Sequence, residues 1–139
     1  MSIFFINIHL VSASEYKFEL LNENDGFSSS IIFSIAQDQS GFLWFGTGYN
    51  GLMRYDGKNI VQYQNDPSNL NSLPNDNAGN VMIDTDNNLW IGSWGGGVLR
   101  YKQESQKFTQ HQHVPGLSNT ISSVRVQNIF EDRHAIKTQ

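Results

Sequence analysis

At 139 residues, 38% hydrophobic and 16% charged, the chain is long enough for one ordinary domain and carries too little charge for disorder. A formal net charge of −4 and the want of any basic stripe argue against nucleic acid as a partner, and the absence of cysteine removes disulfides, thiolate zinc sites and thiol nucleophiles. An aromatic share of 12% with 12 glycines points to all-β structure with many turns.

Residues 3–11 form an apolar run that closes on Val11-Ser12-Ala13, a small-residue pattern of the kind that ends a secretory leader. The run is too short to cross a bilayer as a helix, which takes roughly 20 apolar residues. Residues 1–13 are therefore read as a signal peptide without its basic start, which would place the mature chain outside the cytoplasm. The competing reading is a buried strand or an unstructured leader. Residues 14–30 follow as a lead-in.

The next two stretches repeat. "DQSGFLWFGTGYNGLMRYD" from Asp38 and "DTDNNLWIGSWGGGVLRYK" from Asp84 align without a gap at a step of 46. The identical pairs are Asp38/Asp84, Leu43/Leu89, Trp44/Trp90, Gly46/Gly92, Gly51/Gly97, Arg54/Arg100 and Tyr55/Tyr101. A third copy opens later, where "NIFED" from Asn128 falls on "NVMID" from Asn80 at a step of 48, and after Asp132 the pattern stops. A period in the forties suits either paired helices or a four-stranded propeller blade. Short runs rich in Ile, Val, Phe, Trp and Tyr, divided by Gly and Asn/Asp clusters, favour strands. The glycines at 46, 48, 51, 92, 95, 96 and 97 would each cost a helix ~1 kcal/mol.

Each unit is accordingly predicted to hold four antiparallel strands: 31–37, 42–46, 52–55 and 59–63 in the first, 78–83, 89–92, 98–101 and 107–111 in the second. The fold class is all-β, a propeller fragment of two four-stranded blades at 31–76 and 77–123 with the start of a third at 124–139. Alternation of strand direction puts the turns after the second strand of each unit, 47–50 and 93–96, on one face together with the inter-unit loops 65–76 and 112–118. Trp44 and Trp90 are expected between neighbouring blades, with Gly46 and Gly92 giving room for close packing. A blade cannot hide both its faces alone, so open edges would invite self-association.

Candidate chemistry is sparse. Asp38, Asp84 and Asp132 recur at equivalent positions and are read as turn formers, too far apart for an acid–base pair. "DTDNN" lacks the glycine and the later glutamate of a calcium loop. His111 and His113 alternate on a strand end without a carboxylate partner, which makes a poor metal site. "GSWGGG" lacks the Lys-Ser/Thr of a phosphate loop, and Ser28-Ser29-Ser30 sits in no nucleophile frame. No catalytic, metal or cofactor residue is assigned. Tyr49 and Trp94 occupy equivalent loop positions among glycines, and are the candidates for ligand contact or for packing at a blade edge.

The pattern Asp38, Gly41, Leu43, Trp44, Gly46, Thr47, Gly51, Leu52, Arg54, Tyr55 resembles the two-component regulator propeller repeat, as do the lead-ins "GFSSSIIFSIAQD" and "SLPNDNAGNVMID". That resemblance implies the extracytoplasmic, periplasmic sensor half of a membrane receptor, with further propeller blades and a membrane-anchored histidine kinase or diguanylate cyclase output in a full-length parent. It implies carbohydrate as the ligand class, and a closing strand from residues 16–21. The chain would then be a fragment or truncation of such a sensor, non-catalytic in itself. The alternative is a piece of a propeller-type lyase or hydrolase, since a fold does not dictate function.

Overall fold

The computed structural model describes residues 20–28 and 31–132. The expected signal peptide and most of the expected closing strand lie outside them.

Two four-stranded meanders make up the fold. The first comprises β1 (Ile32–Gln37), β2 (Leu43–Thr47), β3 (Leu52–Tyr55) and β4 (Ile60–Tyr63); the second β5 (Asn80–Ile83), β6 (Leu89–Ser93), β7 (Gly97–Lys102) and β8 (Lys107–His111). All pairings are antiparallel, and the registers correspond: Trp44 lies opposite Ala36 and Arg54, and Trp90 opposite Met82 and Arg100. The turns follow from their residues. Asp38 Oδ1 accepts from the backbone N–H groups of Ser40 and Phe42, and Asp84 Oδ1 from those of Asp86 and Asn88. The position that must turn left-handed is Gly41 (φ 89°) in one unit and Asn87 (φ 63°) in the other, the two residue types that tolerate it best.

Residues directly opposite on a sheet share a face. One face of the first sheet presents Ala36, Trp44, Leu52 and Tyr63; the facing side of the second presents Val81, Leu89, Ile91, Leu99, Tyr101 and Phe108. These residues, with Leu73 and Ala78 from the crossing, form the apolar core. Trp44 is fully buried there, its ring 5.8 Å from Tyr63 and 5.4 Å from Tyr101. The core is thus the seam between two stacked sheets, as blades of a propeller stack.

The passage from one sheet to the next is a repeated device. Ala78 N–H donates to Thr47 C=O, and Val126 N–H to Ser93 C=O, both at 3.1 Å. Gly51 N–H reaches Asp76 C=O (2.8 Å) and Gly97 N–H reaches Val124 C=O (2.9 Å). Ser34 Oγ accepts from Val81 N–H, and Asn80 Oδ1 from Ile129 N–H. Residues 124–129 therefore dock on the second sheet as residues 76–81 dock on the first.

Eight strand ends differ from expectation, each by one or two residues, and three of them have a clear cause. β5 begins at Asn80 rather than 78, because Ala78 and Gly79 spend their backbone on the first sheet: a Cβ at Gly46 would meet their carbonyl oxygens at 2.6 and 2.7 Å. β2 and β6 run one residue further, to Thr47 and Ser93, whose carbonyls those crossings use. Among the described residues the "NIFED" segment forms no strand. A short 3₁₀ turn at Glu23–Asp25, closed by an Asn22 capping box, was not anticipated; just beyond it Phe27 covers Phe45 edge-on at 5.1 Å.

Candidate functional site

The repeated residues are structural in a more specific way than turn formation. Each aspartate also takes the indole N–H of its own unit: Trp44 Nε1 donates to Asp38 Oδ2 at 2.9 Å, and Trp90 Nε1 to Asp84 Oδ2 at 2.7 Å. Asp38 is buried and accepts further from Gln103 Nε2 of the second sheet. Burial pushes the Asp84 carboxyl up, but the bonds from Trp90 and Asn88 outweigh it and hold the group below its ordinary 3.8. Arg54 lies over the rings of Phe42 (4.7 Å) and Trp44 (5.7 Å), and Arg100 over Trp90 (5.5 Å). The Nε of each arginine is buried without a hydrogen-bond partner, so the ring faces carry that side of the cation. Leu43 and Leu89 lie opposite Tyr55 and Tyr101 in their sheets. Burial, then the neighbouring Tyr63 hydroxyl at 3.3 Å, hold the Tyr101 phenol well above its ordinary value.

Trp90, unlike Trp44, is only half-buried. It lies on the far side of the second sheet with Met82 and Val98, and the His111 ring stacks on it at 6.1 Å. His113 does not join His111; its Nδ1 pairs with Ile121 C=O at 2.8 Å.

Loops after β2 and β6 share a face with the inter-sheet crossings, as strand alternation requires: Gly51 N–H at the end of the first loop reaches Asp76 C=O, and Ser93 Oγ reaches Asn75 Oδ1. On this face, where successive first strands meet, a cavity of about 190 Å3 is lined by Phe33, Asn77, Gly79, Asn80, Trp94 and residues 126–127. Phe33 is 61% exposed and Trp94 52%.

The two predicted aromatics part company here. Trp94 lines the cavity and bridges Arg125, whereas Tyr49, 76% exposed, does not line it. They are also not equivalent. Thr47 and Ser93 end β2 and β6 alike, so Trp94 corresponds to Gly48 and Tyr49 to Gly95. Sequence reasoning missed Phe33, Asn77, Asn80 and Gln127. The available signal was a break in the repeat: Phe33, Gly79 and Gln127 hold one position in three successive copies. Sizes exchange across the pair. In the first unit Phe33 lies against Gly48, where a Cβ would come within 2.7 Å of its ring; in the second, glycine stands at 79 and the aromatic is Trp94. The exchange leaves one aromatic from each unit bordering a single cavity.

Comparison with known proteins places this geometry. The family model described as two component regulator propeller matches residues 26–49 and 72–95. A histidine kinase from Formosa agariphila, named Histidine kinase P4, is 32% identical over 128 residues, which is 90% of this chain and 9% of the kinase. The solved extracellular domain assigned to a hybrid two component system of B. thetaiotaomicron superposes with a TM-score of 0.71 at 27% identity, over 79% of this chain and 15% of that one. The chain thus spans under a tenth of the length of the curated relative it matches.

Proposed function

Because this chain is built of two-component regulator propeller repeats, we propose that it serves as a non-catalytic, ligand-sensing segment of a membrane receptor, working on the extracytoplasmic side. The observation that carries the reading is the stacked pair of sheets, with the same Asp–Trp clamp in each, matching an extracellular domain of a hybrid two component system. In the full receptor, further blades cover the Trp90 face and the opposite face of the first sheet. There Ile35 is 60% exposed, although its counterpart Val81 is buried at 6%. A membrane-anchored kinase then reads the arrangement of blades. For a signal to pass, ligand must bind one arrangement better than another. A carbohydrate is the proposed ligand class, entering from the loop face where the crossings and the β2–β3 and β6–β7 turns meet.

Two measurements test this. Alkaline phosphatase fused after Gln139 is active only when exported, so an active fusion supports the extracytoplasmic reading and an inactive one contradicts it. Thermal unfolding of the chain is then followed across a panel of saccharides. A ligand at 100 times its Kd adds about 2.7 kcal/mol to the stability of the form that binds it. A melting temperature unmoved by every saccharide would remove the carbohydrate proposal.

A further inference from the structure

We infer that the cavity between Phe33 and Trp94 is a site for one uncharged sugar ring, selective against acidic sugars. This deepens the receptor reading and rests on it. The positions that build the sheets are the same in both units: the Asp–Trp clamp, the arginine over the indole, the glycine under the crossing. The two aromatics that line the cavity stand at positions where the copies differ. Phe33 stands where the other copies have Gly79 and Gln127, and Trp94 stands where the first copy has Gly48. Stacking of sheets does not require these side chains, since a sheet is built at each position without them.

Their chemistry is of one kind. Two half-exposed aromatic rings, one from each unit, offer apolar faces to the C–H face of a pyranose. Around them stand the carboxamides of Asn77, Asn80 and Gln127, each able to donate and to accept, which suits hydroxyl groups. Asn80 Oδ1 is held by Ile129 N–H, leaving its NH2 to donate. The side-chain amides of Asn77 and Gln127 have no hydrogen-bond partner among the described residues. Among the described residues no charged side chain lines the cavity; Arg125, whose backbone bridges that of Trp94, is outside the lining. A uronate or sulfate ester would enter without a cation to meet it. At about 190 Å3 the space is smaller than the ~300–1,000 Å3 pockets of drug-sized ligands, and fits one ring or a chain end.

The test uses the full chain with glucose, galactose, mannose, xylose, glucuronate and galacturonate, read by saturation-transfer NMR and titration calorimetry. At least one neutral sugar is expected to bind. Phe33→Ala and Trp94→Ala should each weaken it about five- to tenfold, the worth of one stacked ring. Uronates should bind at least tenfold more weakly, and Gln127→Lys should narrow that gap. Because both aromatics are half-exposed, the variants should melt within a few degrees of the parent. Neutral-sugar binding that survives both substitutions, or that is lost in Tyr49→Ala instead, overturns this site while leaving the receptor reading intact. Uronates bound as tightly as neutral sugars overturn the selectivity. Failure of all six sugars to bind removes the site and the carbohydrate reading together.

Discussion

Trp44 and Trp90 form an internal control. Both indoles donate to an aspartate of their own turn, at 2.9 and 2.7 Å, and both lie beneath an arginine. They differ in cover: Trp44 is fully buried against the second sheet, whereas Trp90 is half-buried with His111 stacked on it. Replacing either with Phe removes the indole bond, worth about 1 kcal/mol. Only at Trp44 does the missing ring leave an enclosed gap between Tyr63 and Tyr101. Some 40–60 Å2 of lost apolar contact at ~25 cal/mol per Å2 adds about 1–1.5 kcal/mol there, with a further cavity cost. Trp44→Phe should therefore cost about 2–3 kcal/mol and Trp90→Phe about 1–1.5 kcal/mol. Urea unfolding followed by far-ultraviolet circular dichroism measures both. Equal costs would refute the argument that the second sheet buries the first sheet's tryptophan.

Other consequences follow from named contacts. Gly46→Ala would drive a Cβ to 2.6 Å from Ala78 C=O, an atom of backbone that cannot swing aside. It should lower the melting temperature far more than Gly41→Ala, which meets open space and costs only about 1 kcal/mol for its left-handed φ. The Asp84 carboxyl is held below 3.8, so its contribution is present above that pH and is lost as the pH falls through the lower folded value; Asp84→Asn should flatten this acid limb in a series of urea titrations. Tyr101 is raised above its ordinary 10.0, so the sign reverses: its contribution is intact below pH 10.0 and declines above it, and Tyr101→Phe should remove that alkaline decline. Asn80→Ala takes away one of the two acceptors of Ile129 N–H, the one that ties it to the second sheet, while Asn128 Oδ1 remains; hydrogen exchange at Ile129 should accelerate modestly while exchange within β6 and β7 stays unchanged.

Much of the fold was legible because the residues that repeat are those that physics constrains most tightly. The Asp-x-x-Gly/Asn turn, the alternating Leu-Trp and the glycine that admits the crossing each leave a mark at one fixed step. Their register set all eight strands to within two residues at each end. What was not legible depends on contacts between units. The aspartate was read as a turn former, and its second partner, an indole six residues on, emerges only when β2 folds back over the turn. Residues 78–79 read as strand by composition, yet their carbonyls face Gly46 of the preceding sheet. The candidate site was half visible. Trp94 stands out among glycines, but Phe33 is one apolar residue among several in the predicted strand 31–37. Its role as a wall of the loop-face cavity depends on Gly79 leaving space in the next unit.

The claim on which all of this stands is that Trp44 is sealed between two sheets of the same repeat. Nuclear Overhauser spectroscopy of the labelled chain tests it most directly. Cross-peaks from the Trp44 indole to the Tyr63 and Tyr101 rings are predicted, with Trp90 showing His111 instead. A Trp44 indole with cross-peaks only inside its own sheet, and none to Tyr101, would contradict it.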